Sequence, residues 1–282
     1  MVATPIGNLD DVSVRALRVL ASVDLIAAED TRRTLTLLRH HGISRPLTSY
    51  YDAVERERAP RIVEKLRQGA RVALVSDAGT PGVADPGYHL VRGAVAAGVP
   101  VVPIPGPSAV MALVSVAGLP AERFVFEGFL PTRRGPRRQR LAAVATEPRA
   151  LVFLEAARRL PDFLALAVEL LGDREAVIGR ELTKLHEELL RGRLPELYTR
   201  VAARAALKGE VTVVIAGAPA SVELTEPSDE VDAAIRAALA AGRGTRELSA
   251  EIARRTGRAR RDVYRRALVL RGGSEPEDVG EE

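Results

Sequence analysis

Residues 71–82 read RVALVSDAGTPG, an apolar run that leads directly into a turn rich in glycine and proline. The run Val72-Ala73-Leu74-Val75 shows no alternation with polar residues, which is typical of a strand that helices bury on both faces of a parallel sheet. Open α/β sheets bind ligands at the carboxyl ends of such strands. The stretch therefore predicts an α/β fold with a binding loop at residues 76–82.

The rest of the sequence extends this strand–helix rhythm in both directions. In the first half, strand patterns at residues 24–28, 72–75 and 99–104 alternate with helical patterns at residues 12–23, 53–68 and 87–97. A second pass has strand patterns at residues 124–126, 150–154, 176–178 and 211–216, with helical patterns at residues 136–145, 160–171 and 194–207. The rhythm predicts a parallel sheet and a second domain built in the same way, joined near the proline-rich residues 103–107.

Beyond Pro219 the pattern becomes helical, with candidate helices at residues 230–241, 247–256 and 261–270. We expect four parts: an N-terminal α/β domain (1–105), a C-terminal α/β domain (106–222), a basic helical module (228–271) and an acidic tail (272–282). The composition of the tail predicts disorder. The helix, glycine turn and helix within the module are typical of small nucleic-acid-binding units.

Composition excludes several classes of site. The 282 residues include no cysteine, so disulfides, thiolate zinc sites and cysteine nucleophiles are all excluded. The four histidines show no metal-ligand spacing. No apolar run approaches the roughly 18 residues of a membrane span, and the first residues do not form a signal peptide. These features predict a cytoplasmic protein without a metal site.

Arginine is concentrated in two places. The chain has 41 basic residues, of which 38 are arginine, and five of these fall in one short segment at Arg133, Arg134, Arg137, Arg138 and Arg140. Between residues 243 and 271, ten arginines face three acids, a local net charge of +7 that leaves −3 for the rest of the chain. Such patches predict contact with a polyanion at two surfaces, although a solvated loop is the alternative for the first.

Four loops follow predicted strands and share an unusual chemistry. They are residues 3–9, 29–32, 76–82 with 85–87, and 105–109. Glycine lets the backbone approach a ligand closely and proline fixes its path, so these loops present rigid amides and carbonyls. No lysine follows the glycines and the dinucleotide spacing is missing, which excludes a P-loop and a dinucleotide fingerprint. The loops therefore predict a pocket for a different kind of ligand.

Seven segments resemble motifs of the ribosomal RNA small subunit methyltransferase I family. They are VATPIGNL at 2–9, AEDTR at 28–32, SDAGTP at 76–81, DPGY at 85–88, PGPS at 105–108, GFLP at 128–131 and ELTK at 181–184. The resemblance covers most of residues 2 to about 270. It implies the tetrapyrrole methylase fold (class III methyltransferase), S-adenosylmethionine as cofactor and usually a homodimer. The implied reaction is methylation of a cytidine ribose 2′-hydroxyl in 16S rRNA, in the decoding region of the 30S subunit.

The resemblance also implies site residues. The cofactor is expected between the two α/β domains, with Asp77 as a polar anchor. The contacts expected with it are Pro5, Gly7, Asp77, Ala78, Gly79, Thr80, Pro81, Asp85, Pro107, Ser108 and Ala109. A ribose hydroxyl needs a base, or a cation that stabilises the alkoxide, and five residues stay open for this role: Glu29, Asp30, Arg32, Glu181 and Lys184. The five arginines at 133–140 are expected to contact RNA.

Two departures from the family pattern and two alternative functions remain. Relatives usually carry several strand residues before VATP, whereas only Met1 and Val2 precede Ala3 here, so we expect a short first strand. Residues 49–53 lack a histidine and an asparagine that are often found there. The alternatives are a methyltransferase for a tetrapyrrole or another small molecule, and a non-enzymatic RNA-binding assembly factor.

Overall fold

The computed structural model describes residues 1–204, 207–219, 229–256 and 260–271. The chain forms two compact units, Met1–Ala218 and Pro219–Glu282. The first unit holds both segments for which α/β domains are predicted. The predicted disordered tail lies outside the described residues. Within the described ranges, no helix is both long enough and apolar enough to cross a membrane.

The first unit begins with a three-stranded parallel sheet. Its strands are β1 (Leu25–Ala28), β2 (Leu47–Ser49) and β3 (Val72–Val75), in the order β2-β1-β3. Its helices are α1 (Val14–Ser22), α2 (Thr31–His40), α3 (Asp52–Arg67) and α4 (Tyr88–Ala96). The parallel sheet expected from the first half of the sequence is confirmed.

Both faces of this sheet are buried, which explains the apolar runs without alternation. Ile26 and Ala73 pack on one side with Leu20 of α1 and Leu38 of α2. On the other side, the neighbouring strand residues Ala27 and Leu74 pack with Ile62 of α3 and Leu90 of α4.

The opening residues extend the sheet beyond β3 without forming a full strand. The Val2 amide donates to the Leu74 carbonyl (2.9 Å), and the Ile104 amide donates to the Met1 carbonyl (2.8 Å). The short first strand is therefore confirmed as a bridge between Val2 and Ile104. The strand predicted at residues 99–104 is wrong, because Pro100 and Pro103 have no amide hydrogen for a ladder.

A second, five-stranded sheet follows. Its strands are β4 (Phe124–Phe129), β5 (Ala150–Ala156), β6 (Glu175–Arg180), β7 (Glu188–Arg193) and β8 (Glu210–Ile215), in the order β4-β5-β8-β6-β7. Its helices are α5 (Ala109–Val116), α6 (Arg134–Ala143), α7 (Leu160–Leu171) and α8 (Leu194–Ala202).

The parallel rhythm expected for this second domain is wrong. Only β4 and β5 pair in parallel, and the β5–β8, β8–β6 and β6–β7 pairs are antiparallel. The connection from β6 to β7 spans residues 181–187, which is too short for a crossover helix and so forces a hairpin.

The described residues of the second unit form three helices, α9 (Asp229–Ala240), α10 (Thr245–Thr256) and α11 (Arg260–Leu270), close to the predicted positions. They share a small core of their own around Ile235, Leu248, Ile252 and Ala267. The helical pattern predicted after Pro219 is therefore confirmed for the described residues.

Candidate functional site

A cavity of about 680 Å³ lies at the carboxyl ends of β1 and β3, between the first and second sheets. One wall comes from the loops after β1 and β3 and from residues 103–111, and the other from strands of the second sheet. Its size falls within the range of about 300–1,000 Å³ that is usual for pockets of small molecules and cofactors.

Hydrogen bonds hold the loops at residues 3–9, 76–82 and 105–109 together. The Thr4 amide donates to the Gly79 carbonyl (2.9 Å), and the Gly79 amide donates to the Thr4 carbonyl (3.0 Å). The Thr80 hydroxyl donates to the Pro107 carbonyl (3.4 Å). Gly79 adopts φ +77°, a conformation that side-chain-bearing residues rarely adopt. The floor of the cavity therefore consists of backbone segments that are joined to one another by hydrogen bonds.

The first loop also packs on the segment after β6. A Cβ added to Gly7 would lie 2.4 Å from Lys184 Cγ and 2.8 Å from the Leu182 carbonyl oxygen. The Asn8 amide donates to the Thr183 hydroxyl (3.1 Å). Only glycine at position 7 allows this approach, which brings residues 181–184 to the cavity edge.

The segment 181–184 is strained and ends in an ion pair. Glu181 and Thr183 adopt φ values of +51° and +65°, which cost free energy in residues other than glycine and often mark functional sites. Glu181 Oε1 accepts hydrogen bonds from Lys184 Nζ (2.8 Å) and from the Glu210 amide (3.1 Å). A second recess of about 450 Å³ is also lined by Glu181 and Lys184, so this pair lies in a wall that both cavities share.

Asp77 connects the ends of β1 and β3. Its amide donates to Glu29 Oε2 (3.1 Å), and its own Oδ1 accepts from the Asp30 amide (2.8 Å). Its Oδ2 lies 3.3 Å from an Arg33 guanidinium nitrogen. Because protein groups occupy both oxygens, Asp77 shapes the cavity more than it offers a free carboxylate to a ligand.

The acidic side chains at the cavity differ in pKa. Burial raises the pKa of Glu29, and nearby Asp85 and Asp77 oppose its ionisation further, although the Asp77 amide works in the other direction. Burial likewise raises the pKa of Asp85. Burial also opposes ionisation of Glu181, but hydrogen bonds from Lys184 and Glu210 outweigh it and the pKa is lowered. The lowered pKa therefore favours the ionised form of Glu181, whereas the raised pKa of Glu29 means that this carboxylate takes up a proton more readily.

Most residues with a predicted cofactor contact lie around these cavities. Asp77, Ala78, Gly79, Thr80, Asp85, Ser108 and Ala109 line the larger cavity, and Pro5 and Gly7 line the adjoining recess. Pro81 and Pro107 line neither, although the Pro107 carbonyl fixes Thr80. Ser108 caps α5, because its hydroxyl accepts from the Met111 amide (3.4 Å).

The five candidates for acceptor chemistry separate into two groups. Glu29, Glu181 and Lys184 line the cavity, whereas Asp30 and Arg32 do not. Asp30 caps α2 and pairs with Arg32 at 2.7 Å, and the Arg32 side chain is 89% exposed. The bonds from Arg32 lower the pKa of Asp30 to about 2. These two residues stabilise the start of α2 rather than face the cavity.

The five arginines of the first basic patch differ from expectation at Arg137. Its side chain is only 7% exposed and lies 3.1 Å from Glu155 Oε2, so it stabilises the interior instead of facing a polyanion. Arg138 pairs with Glu169 (2.6 Å), and Arg140 pairs with Glu127 (2.5 Å). Arg133 and Arg134 are exposed at the start of α6, with no carboxylate partner found among the described residues.

Arg33 and Phe129 are among the side chains of the cavity wall that sequence reasoning missed. A signal for Arg33 exists, because it precedes the buried Leu37 by four residues and so shares its face of α2, whereas Arg32 points away. The sequence pattern does not predict the orientation of Phe129, because that orientation depends on an irregularity in β4.

Replacing Glu29 with glutamine provides a test of the burial of this carboxyl. Because the folded pKa is raised, the wild-type protein loses stability as pH rises through it, whereas the neutral amide does not. We expect Glu29→Gln to be more stable than wild type at pH 8 and the difference to shrink towards pH 4. Urea unfolding at the two pH values measures this, and a difference independent of pH contradicts it.

Comparisons with known proteins agree with this geometry. The family model described as tetrapyrrole (corrin/porphyrin) methylases matches residues 1–198. The ribosomal RNA small subunit methyltransferase I of Mesorhizobium japonicum is 45% identical over 281 residues, covering 99% of this chain and 94% of that protein. The protein of the same name from Pseudomonas aeruginosa is 51% identical over 219 residues, covering 77% of this chain and 78% of its own.

Among solved structures, the fold is similar to that of uroporphyrin-III C-methyltransferase from Thermus thermophilus complexed with S-adenosylhomocysteine. The TM-score is 0.53 at 18% identity, with 76% of this chain and 94% of the other covered. From the family model and from relatives that cover 99% and 77% of the sequence, the chain belongs to the tetrapyrrole methylases and, among them, to the ribosomal RNA small subunit methyltransferase I family.

Proposed function

We propose that this protein transfers a methyl group from S-adenosylmethionine to the ribose 2′-hydroxyl of a cytidine in 16S rRNA, in the decoding region of the 30S subunit. The names of its relatives support the rRNA substrate. The observation that carries the proposal is the cavity in which a backbone cradle, half-buried carboxyls and the Lys184–Glu181 pair meet.

The residues around the cavity suit this cofactor. A sulfonium cation with an amino-acid group and a ribose calls for carboxyls, amides and carbonyls rather than a phosphate nest. Glu29 and Asp85 supply the carboxyls, and the segments around Gly79 and Gly106 bring backbone amides and carbonyls to the cavity wall. A Cβ on Gly106 would lie 3.0 Å from Ala3 Cβ, so the backbone fits tightly there. A solved protein of this fold holds S-adenosylhomocysteine.

The cavity side chains divide the acceptor chemistry between them. A bound S-adenosylmethionine would supply an electrophilic methyl group on its sulfonium sulfur, and the sulfur would be left as a neutral thioether. Lys184 stabilises the negative charge that develops on that oxygen, and Glu181, held as an anion, positions the ammonium. Glu29, whose pKa is raised, accepts the hydroxyl proton. Alignment of these groups in one cavity supplies much of the remaining acceleration.

A transfer assay tests the proposal. Tritium-labelled S-adenosylmethionine is incubated with 30S subunits reconstituted on unmodified 16S transcript, and in parallel with porphyrinogens. We expect about one label per subunit, at one cytidine whose 3′ bond resists alkali, because 2′-O-methylation removes the internal nucleophile. Label on porphyrinogen supports a small-molecule methyltransferase instead. No transfer, together with retained rRNA binding, supports an assembly factor.

Arg133 and Arg134 are proposed to contact the RNA backbone. They lie at the amino end of α6, where no acidic residue occupies the first turn and the helix dipole favours phosphate. We expect Arg133→Ala/Arg134→Ala to weaken 16S rRNA binding and to reduce the slope of log K against log salt by about 1–2. Filter binding at several salt concentrations measures this. Arg158→Ala, an exposed arginine after β5 that does not line the cavity, is the matched control. An unchanged slope contradicts the assignment.

A further inference from the structure

We propose that Phe129 is the stacking platform for the base of the target nucleotide, an inference that rests on the proposed rRNA substrate. Phe129 lies at the end of β4, lines the cavity and is 51% exposed. Exposure of half of a large aromatic ring to water is unfavourable. A planar group bound against the ring would remove this unfavourable exposure. Protein recognition of splayed RNA bases commonly uses such rings.

An irregularity in β4 aims this ring at the cavity. The register with β5 shifts between Phe126 and Gly128, and Gly128 adopts φ +63°, so Glu127 is an extra residue in the strand. In a regular strand, residues 126 and 129 would lie on opposite faces. With the bulge, both line the cavity, and Phe129 pairs with Leu154, which lines it too. Bulges beside functional sites often redirect a side chain in this way.

The bulged residue is itself fixed. The Glu127 carboxylate is 1% exposed and accepts two hydrogen bonds from the Arg140 guanidinium, at 2.5 and 3.0 Å. Arg140 belongs to α6, the basic helix that follows. The bulge, and therefore the direction of Phe129, is thus tied to the helix that carries Arg133 and Arg134.

The two walls of the cavity differ in chemistry. The loops of the first sheet contribute Glu29 and Asp85, which suit a cationic, zwitterionic cofactor. The β4–β5 wall is aromatic and aliphatic, and its carboxylate, Glu155, is paired with Arg137 and Arg159. An apolar wall with a half-exposed ring matches the face of a nucleobase.

The distance to the basic residues favours the acceptor base over the adenine of the cofactor. Arg133 follows Phe129 by four residues, so the two lie at most about 14 Å apart along an extended chain. Phosphates next to the target nucleotide are within reach of Arg133 and Arg134 when its base lies on Phe129. One segment would then hold both the base and its backbone.

Three variants at position 129 test the inference against 30S subunits. We expect Phe129→Ala and Phe129→Leu to lower kcat/KM for methylation by about 10- to 100-fold, and Phe129→Tyr to retain most of it, because an aromatic face is required and apolar volume is not enough. S-adenosylhomocysteine affinity should stay within twofold of wild type. Tyr198→Ala, an exposed aromatic of α8 that does not line the cavity, is the control.

A fluorescence readout separates stacking from a merely structural role. The chain contains no tryptophan, so Phe129→Trp introduces a single indole at the cavity. We expect 16S rRNA to quench its emission and S-adenosylhomocysteine alone to leave it nearly unchanged, whereas Tyr198→Trp responds to neither.

The outcomes are distinguishable from failure of the proposed function. A wild-type protein that methylates no rRNA contradicts the function itself, and quenching by rRNA still reports on Phe129. A functional wild type with Phe129→Leu as active as Phe129→Tyr overturns the stacking role. Weaker S-adenosylhomocysteine binding in Phe129→Ala, with quenching by that ligand alone, also overturns it and assigns the ring to the adenine.

Discussion

Replacing Lys184 with methionine is expected to lower kcat for rRNA methylation by about 10²- to 10³-fold, the usual loss when one stabiliser of a developing oxyanion is removed. Methionine keeps most of the aliphatic stem that packs against Gly7 and removes the ammonium that contacts Glu181 at 2.8 Å. Single-turnover rates with 30S subunits and saturating S-adenosylmethionine measure the change.

Two further variants give this prediction its controls. Lys65→Met removes one of the two other lysines, an exposed residue of α3, and should leave kcat unchanged. Glu181→Gln should lower kcat by a smaller factor, because the ammonium stays but loses its charged partner. A Lys184→Met protein with a wild-type rate would contradict the role of Lys184 at the acceptor oxygen.

Replacing Arg137 with alanine is expected to destabilise the fold by about 3 kcal/mol, because it leaves the buried Glu155 carboxylate without one of its charged partners. Glu155 has no exposed side-chain area, and the Arg137 guanidinium also donates to the Pro131 carbonyl (3.1 Å). The pair with Arg159 remains, which keeps the loss below that of an unpaired charge. For a unit of this size, Tm should fall by about 6–12 °C.

Arg138 supplies the matched control for Arg137. It neighbours Arg137 on α6, but its ion pair with Glu169 is about half exposed on both sides. Such pairs contribute about 0–1 kcal/mol, so Arg138→Ala should change Tm little. If Arg137→Ala melted like wild type and weakened rRNA binding as Arg133→Ala/Arg134→Ala does, Arg137 would belong to the RNA surface after all.

Two strands of the first sheet, β1 and β3, could be predicted from sequence because each is a short apolar run, whereas β2 (sequence LTS) was not among the predicted strands. The run at residues 72–75 is β3 itself, and α7 matches the predicted residues 160–171. β7 was missed, because four of the six residues in its sequence ELLRGR are polar or glycine, and its order comes from pairing with β6. The direction of the second sheet also depends on pairing between distant strands, which local periodicity does not encode.

The candidate site was predictable where glycine and proline mark backbone conformation, and less so where side-chain direction decides. The loops around Gly79 and Ser108 do meet at the cavity. The sequence does not distinguish the five arginines at 133–140 from one another. In the structure, α6 directs Arg137 into the protein interior and leaves Arg133 and Arg134 exposed to solvent. The choice of Lys184 over Arg32 rests on a hairpin whose position only the folded chain reveals. The homodimer implied by the resemblance stays a prediction.

The central claim is that the cavity at the ends of β1 and β3 holds the cofactor. Calorimetric titration with S-adenosylhomocysteine tests it most directly, with wild type compared with Ala109→Trp, which places an indole in the cavity lining, and with Tyr198→Trp outside it. We expect one site per chain in wild type and Tyr198→Trp, and no measurable binding in Ala109→Trp. Equal binding by Ala109→Trp, or none by wild type, would contradict the account.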